Sequence, residues 1–229
     1  MLLRQFLDSE TSTFTYLIAN DYNAPAAIID PVDVHIDLYN RFIDEFGLTL
    51  TYCLETHTHA DHITASGKLA KQHNASIAVG KPSQAENVDI FLEDNQVLTL
   101  GDLNLKALST PGHTDDSYCF ALDNLLFTGD TLFIRGTGRT DFQCGCPRQQ
   151  YASITEKLFA YPDETLIYPG HDYKTINVST VGEEKRFNPR LQVANADEYA
   201  TIMNSLNLAY PKKIDVALPA NLKCGLLEK

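Results

Sequence analysis

The chain has 229 residues, of which 44% are hydrophobic and 21% charged, and its formal net charge is −12. This composition is typical of a globular protein with a sizeable core. Net acidity repels phosphate, which disfavours a nucleic-acid partner, and no apolar run is long enough to predict a membrane span. The short apolar N-terminus is followed by acidic residues, unlike a signal or transit peptide, so we expect a cytoplasmic protein.

Short strands and helices alternate along the predicted chain. Strand patterns occupy 2–7, 14–19, 26–30, 50–54 and 76–80, and apolar residues recur at helical spacing over 34–46 and 63–72. Two hairpins at 96–110 and 118–128 precede helices at 148–159, 181–185 and 197–206 and a strand at 165–168. Such a mixture favours sheets covered by helices in one α/β domain over 1–229, with a core over about 1–175 and a C-terminal extension over 176–229.

The five cysteines show neither a disulfide framework nor a zinc-binding pattern. Their number is odd, and they include no pair separated by two residues. Cys144 and Cys146 have the spacing of a close redox pair, but free thiols are the simpler expectation. We therefore predict reduced cysteines.

Three of the seven histidines lie in one short segment, which directly follows the predicted strand 50–54. The segment is His57-Thr58-His59-Ala60-Asp61-His62. In an extended backbone, His57 and His59 point to the same side. A helix that begins near His62 would direct Asp61 and His62 back toward the same pocket, although Asp61 also suits a simple helix cap. The segment predicts a metal site.

Three further candidate ligands each follow a predicted strand and a glycine. They are His113 in Pro111-Gly112-His113-Thr114, Asp130 in Thr128-Gly129-Asp130, and His171 in Pro169-Gly170-His171. Glycine lets the backbone of such a loop approach closely and adopt conformations that other residues resist. Five histidines in strand-end loops beside acidic residues strengthen the prediction of metal binding. His35 and His73 lack this context and are predicted to be surface residues.

These motifs together resemble the metallo-β-lactamase superfamily over residues 10–175. The resemblance implies a four-layer αβ/βα sandwich with the metal site at one sheet edge. The matching positions are His57, His59, Asp61, His62, His113, Asp130 and His171. They correspond to the ligand set for two metals, so the pattern alone permits a dinuclear hydrolase.

A narrower resemblance, which runs over almost the whole chain, is to the persulfide dioxygenases. It rests on 136–143, 168–173, 179–190 and the tail from 206–208 through 219–225, and the C-terminal segments among these lie outside the shared metal pattern. It implies one Fe(II) per chain, bound by His57, His113 and Asp130. The implied reaction oxidises glutathione persulfide with O2 to sulfite and glutathione.

The same resemblance extends to the residues around the iron. It implies that His59, Asp61, His62 and His171 surround the iron and orient its ligands without binding a second metal. Arg139 is assigned to a glutathione carboxylate, and Tyr173 matches a glutathione contact in related thioester hydrolases. Arg135 and Lys174 are weaker candidates for binding an anion. Relatives of this kind also suggest a homodimer.

Two other functions are compatible with the ligand pattern. One is a glyoxalase II-type hydrolase of glutathione thioesters, which uses two metals and a bridging hydroxide. Only 58 residues follow His171, however, and they resemble the dioxygenase tail rather than a larger helical domain. The other, from a different class, is a non-catalytic sensor of sulfide that binds a metal and glutathione. Nothing in the sequence supports a partner surface or a DNA-binding element for such a sensor.

Overall fold

Two six-stranded mixed sheets form the centre of the computed structural model, which describes residues 1–226. In the first sheet the strands lie in chain order: β1 (Leu2–Asp8), β2 (Thr13–Ala19), β3 (Pro25–Ile29), β4 (Thr49–Leu54), β5 (Ser76–Gly80) and β6 (Ile90–Leu92). The second sheet contains β7 (Val97–Leu100), β8 (Leu103–Ser109), β9 (Tyr118–Leu122), β10 (Leu125–Gly129), β11 (Leu166–Pro169) and β12 (Ser179–Thr180). Strands β3 to β6 run parallel, as do β10 and β11, and the other neighbours are antiparallel.

The main hydrophobic core lies between the two sheets. Phe14, Tyr16 and Ile18 from β2 pack there with Phe120 and Phe127 from the second sheet. All five are at most 2% exposed. Full burial of one such side chain stabilises the fold by about 1.5–3 kcal/mol, so this layer is a major source of stability.

Helices cover the outer faces of both sheets. They are α1 (Ile36–Glu45), α2 (Ser66–His73), α3 (Pro147–Ala152), α4 (Val181–Phe187), α5 (Ala196–Asn204) and α6 (Ile214–Asn221). Tyr39 and Leu69 from α1 and α2 pack on the first sheet, whereas Tyr199 and Met203 from α5 pack on the second. The layers are therefore helix, sheet, sheet and helix, which confirms the predicted αβ/βα sandwich.

Helix α2 begins later than predicted, at Ser66 rather than Ile63. The preceding residues do not form a helical turn, because the amide of Ala65 donates to the Pro31 carbonyl and the Ile63 carbonyl accepts from the amide of Asp33. The prediction that the histidine segment runs into a helix near His62 is therefore wrong. So is the simple cap proposed for Asp61, since residue 65 occupies the N-cap position.

Other elements depart from the predicted pattern in smaller ways. The predicted helix 148–159 consists of α3, a π-helical turn Ser153–Lys157 and a 3-10 turn Leu158–Ala160. Strands β6 and β12 and helix α6 were not predicted, because two of them are only two or three residues long and α6 contains Pro219. His35 and His73 are half-buried rather than fully on the surface, and contact Asp8 and Asn40.

All five cysteines are free, as predicted, and Cys144 is the exposed one. Among the helices of residues 1–226, none is both long enough and apolar enough to cross a membrane.

Candidate metal centre

The candidate site lies at one edge of the sandwich, where loops from both sheets meet. Strands β8, β10 and β11 run in the same direction, so the loops that follow them emerge at the same edge. These loops carry His113, Asp130 and His171, and the loop after β4 adds His57. The fold thus brings together the ends of strands that are distant in sequence.

His57, His113 and Asp130 form a compact group, which we call the triad. One potential ligand atom from each lies within 4.8 Å of the other two. His113 Nε2 lies 3.5 Å from Asp130 Oδ2, and the ring centroids of His57 and His113 are 4.8 Å apart. Two imidazoles and one carboxylate are the donors of metal sites that retain open coordination positions.

Hydrogen bonds fix the tautomers of both triad histidines. His113 Nδ1 donates to the Arg139 carbonyl oxygen at 2.7 Å, because a carbonyl only accepts. His57 Nδ1 lies 3.0 Å from Thr56 Oγ1, whose own proton is donated to Asp30 at 2.8 Å. His57 Nδ1 must therefore be the donor to that hydroxyl. Both rings keep Nε2 free to bind a metal.

The charges in this region also suit metal binding. Burial lowers the pKa of His57 well below its ordinary value, and His59 and His113 lower it further. Burial raises the pKa of Asp130, but contacts with His171 and His113 outweigh it, and the net pKa is lowered. A neutral imidazole and an ionised carboxylate are the forms that coordinate metals.

The remaining four predicted residues lie beside the triad, and the three histidines among them contact carboxylates. His171 Nε2 lies 3.3 Å from Asp130 Oδ1 and 3.6 Å from Asp61 Oδ2. His62 Nδ1 lies 3.2 Å from Asp61 Oδ2, which also accepts a hydrogen bond from Thr13. Burial opposes a charge on His171, yet Asp130 and Asp61 raise its pKa to about 9. His171 therefore differs electrostatically from His57.

Two buried carboxylates behind His59 were missed by the sequence analysis. His59 Nε2 lies 3.0 Å from Asp30 Oδ1 and 3.3 Å from Glu55 Oε2. Burial lowers the pKa of His59, but the two carboxylates outweigh it and hold the pKa well above its usual value. Asp30 and Glu55 directly follow β3 and β4. They carry the same strand-end signal as the histidines, and that signal identifies them.

Several buried polar atoms of this region have no partner with hydrogen-bond geometry within residues 1–226, even where an oppositely charged group lies within 3.3 Å, as for His59 Nε2 and Asp130 Oδ1. They are Glu55 Oε2, both ring nitrogens of His59, His62 Nε2, Asp130 Oδ1 and His171 Nδ1. Unpaired buried polar atoms are costly and rare in folded proteins. A bound cation would offset that cost for the oxygen of Asp130, so the residues fit a metal.

Glycines in two of these loops are required by close packing. A Cβ on Gly112 would lie 2.3 Å from backbone atoms of Gln150, and its φ of +142° is strained for other residues. A Cβ on Gly170 would lie 2.6 Å from Asp130 Oδ1. These glycines let neighbouring loops approach one another, which in turn places the triad.

A cavity of about 830 Å³ opens beside the triad and has room for a small peptide substrate. Tyr173 lies on its wall and stacks on His171, with ring centroids 5.3 Å apart. Arg139 also lines the cavity, but its guanidinium bonds Asp141 through Nε at 2.6 Å and Nη2 at 2.8 Å, and the Ala209 carbonyl through Nη1. Arg139, which was predicted to contact the substrate, is thus already hydrogen-bonded to other residues of the chain.

Arg190, which the sequence analysis did not single out, is a second arginine on the cavity wall. Its guanidinium bonds only the carbonyl and hydroxyl of Thr137 and has no carboxylate partner within residues 1–226. Burial lowers its pKa, which shows that the charge is partly removed from water. Because the chain does not neutralise it, Arg190 is better placed than Arg139 to hold an anion.

The two weaker cationic candidates differ from each other. Arg135 is bound by Glu184 and, at 2.8 Å, by Glu183. Lys174 lines the cavity and forms no ion pair in the described part of the chain. Only the lysine remains available for an anionic ligand.

Comparisons with known proteins agree with this architecture. The profile described as the metallo-beta-lactamase superfamily matches residues 80–171. The human protein "Persulfide dioxygenase ETHE1, mitochondrial" is 42% identical over 99% of this chain and 89% of its own. A crystal structure of ETHE1 from Myxococcus xanthus is 46% identical, with a TM-score of 0.96 over 99% of this chain and 100% of that one. A probable hydroxyacylglutathione hydrolase of Schizosaccharomyces pombe is 29% identical over 88% and 89% of the two chains.

Proposed function

Since the chain belongs to the persulfide dioxygenase family of the metallo-β-lactamase superfamily, we propose that it oxidises glutathione persulfide with O2 to sulfite and glutathione. The observation that carries this proposal is the similarity over almost the entire chain. This similarity includes the C-terminal region after residue 171, which lies beyond the match to the general superfamily profile. The geometry of the triad and the cationic wall of the cavity support it.

His57, His113 and Asp130 would hold one Fe(II) per chain. Ferrous iron with these three ligands supplies open positions for a persulfide sulfur and O2, together with redox chemistry that zinc lacks. Thr56 and the Arg139 carbonyl keep the two imidazoles in the tautomer that binds the metal.

His59, Asp61, His62 and His171 would orient this centre without binding a second metal. Their contacts support that role. His171 contacts one carboxylate oxygen of the ligand Asp130, and His59 lies between the carboxylates of Asp30 and Glu55. A histidine held by buried carboxylates keeps a fixed ring orientation. His59 and His171, whose pKa values the carboxylates raise, would also keep positive charge beside them.

The cavity wall would bind the glutathione part of the substrate. Tyr173 offers a ring beside His171, and Arg190 and Lys174 offer charges that the chain leaves unpaired. Arg139 remains a candidate for a carboxylate, but it would have to share its guanidinium with Asp141. A planar guanidinium suits the bidentate geometry of a carboxylate.

A glyoxalase II-type hydrolase is the second candidate, and one observation favours it. Ligand atoms of His59, Asp61 and His62 also lie within 4.8 Å of one another, so a second cation has potential donors. Such an enzyme would use two metals and cleave a glutathione thioester.

Oxygen uptake with glutathione persulfide, together with elemental analysis of the same purified sample, separates the two functions. About one iron per chain with sulfite release supports the dioxygenase. Two metals, no oxygen uptake and rapid cleavage of lactoylglutathione would refute it. A metal-loaded protein that binds glutathione but turns over neither substrate would instead indicate a sensor.

The proposal extends to a cytoplasmic homodimer. Light scattering of the purified chain measures its mass in solution, and a tagged copy reports its location in the cell. A monomer or a different compartment would leave the chemistry unaffected.

A further inference from the structure

The C-terminal segment lies directly behind the histidine loop, which we define as residues 57–64. Helix α6 ends at Asn221, whose side chain is 4% exposed. The following turn is fixed to the body of the protein by backbone bonds, from Gly67 to the Cys224 carbonyl at 2.9 Å and from Glu86 to the Leu222 carbonyl at 2.7 Å. Asn221 is therefore held in a defined place.

The side-chain amide of Asn221 directs both of its donor hydrogens and its oxygen at backbone groups of the histidine loop. Its Nδ2 donates to the carbonyl of His59 at 2.8 Å and to that of His62 at 2.7 Å. Its Oδ1 accepts from the Thr64 amide at 2.9 Å. Within residues 1–226, these three backbone groups have no other hydrogen-bond partner.

This arrangement determines the shape of a loop that lacks regular structure. The two carbonyls belong to His59 and His62, and Asp61 lies between them. Without the amide, three buried backbone groups would be unpaired, so the loop would shift to reach water or other partners. Such a shift would move His57 and Asp61 relative to His113 and Asp130, which sit on the other sheet.

We propose that Asn221 is a positioning residue of the metal centre. It would hold the histidine loop in register with the ligands from the second sheet, which makes the C-terminal segment an integral part of the site. The proposal rests on the metal centre of the proposed function but not on its reaction.

Cobalt(II) binding to the metal-free full-length protein tests this role. In Asn221→Ala, we expect the affinity for Co(II) to fall by about tenfold or more, and the visible spectrum of the bound ion to change. The matched control is Asn195→Ala, which removes an amide that caps α5 through bonds to Asp197 and Glu198. It should lower the unfolding temperature without changing Co(II) affinity.

Asn221→Asp supplies a second test if the alanine variant does not fold. It preserves the side-chain shape but cannot donate to both carbonyls, so it too should weaken Co(II) binding. Wild-type affinity and spectrum in either folded variant would overturn the proposal and leave Asn221 with a purely structural role. Because Co(II) binding requires no oxygen chemistry, failure of the dioxygenase assignment would appear separately, as absent oxygen uptake by the iron-loaded wild type.

Discussion

The two groups of histidines at this site use the same side chain in opposite ways. His57 and His113 donate through Nδ1 to a hydroxyl and a carbonyl, which leaves Nε2 free. His59 and His171 direct Nε2 at carboxylates, at 3.0 Å and 3.3 Å. The pKa of His57 is lowered by burial, whereas carboxylates raise the pKa of His59 and His171 against the effect of burial.

The comparison shows that the neighbours of an imidazole decide its role. His57 is as fully buried as His59 and His171, so burial alone does not separate the two groups. A neutral acceptor beside Nδ1 leaves Nε2 as the lone-pair donor that a metal needs. Carboxylates that raise the pKa of His59 and His171 favour the protonated imidazole, which cannot bind a metal.

Removal of a triad residue should have the largest effect. His113→Ala or Asp130→Ala should lose iron and oxygen uptake together, with activity reduced by more than about 100-fold, because two ligands hold the metal poorly. Elemental analysis and an oxygen electrode measure both quantities. His73→Ala, which lies outside the site and contacts Asn40, is the control. Full metal retention in the triad variants would end the assignment of these ligands.

Removal of a carboxylate-bound histidine should have a smaller effect on the metal. His171→Ala should keep most of its iron, with turnover reduced about 10- to 100-fold because the orientation of Asp130 is lost. The same two measurements apply. If this variant loses iron as completely as His113→Ala, the distinction between the two groups fails. A second metal that wild type binds through His171 would also contradict it.

The two cavity arginines should differ in their effect on substrate binding. Arg190→Lys should raise the KM for glutathione persulfide about tenfold, because the lysine loses the planar guanidinium that suits a carboxylate. Arg139→Lys should raise it less, since Asp141 already occupies that guanidinium. Iron content should not change in either variant. The reverse order of KM values would restore Arg139 as the main carboxylate contact.

His35 and Asp8 form a histidine–carboxylate contact outside the metal centre, at 3.0 Å, and should show the smallest effect. Burial raises the pKa of Asp8, but bonds from Thr11 and the contact with His35 outweigh it, so the pKa is lowered. The ionised form therefore stabilises the fold above the carboxyl's ordinary pKa, and this contribution is lost as the pH falls through the lowered value. Asp8→Asn should cost about 1 kcal/mol at pH 7.

Thermal unfolding at pH 7 and at about pH 3.5 measures that difference. The difference in unfolding temperature between Asp8→Asn and wild type should become smaller at the lower pH, because protonation of the carboxyl removes its contribution to stability. Iron affinity should not change at pH 7. A difference in unfolding temperature that becomes larger on acidification would show that ionised Asp8 does not stabilise the fold.

Local sequence patterns were sufficient for much of the fold. The predicted strands at 2–7, 14–19 and 76–80 match β1, β2 and β5 to within one residue. Those segments have apolar residues between clear turn signals, which require no distant partner to recognise. The end of α1 was also predictable from the sequence, since Gly47 follows the helix and adopts a φ of +63°.

Elements that depend on tertiary contacts were less predictable. Strand β12 has two residues and exists because it pairs with β11. The start of α2 is delayed because residues 63–65 bond to the distant segment 31–33. No local signal distinguishes these cases from a turn or an earlier helix start.

The sequence by itself determined which residues gather at the candidate site, because the histidines and aspartates directly follow strands whose ends lie at the same edge of the sandwich. It also determined the class of fold, through the order of its periodic segments. Only the tertiary structure decided how each residue is used. Asp30 and Glu55 approach His59, Asp141 occupies Arg139, and Asn221 reaches the histidine loop from the far end of the chain. Protonation, pairing and orientation depend on neighbours in space, and most of these neighbours are distant in sequence.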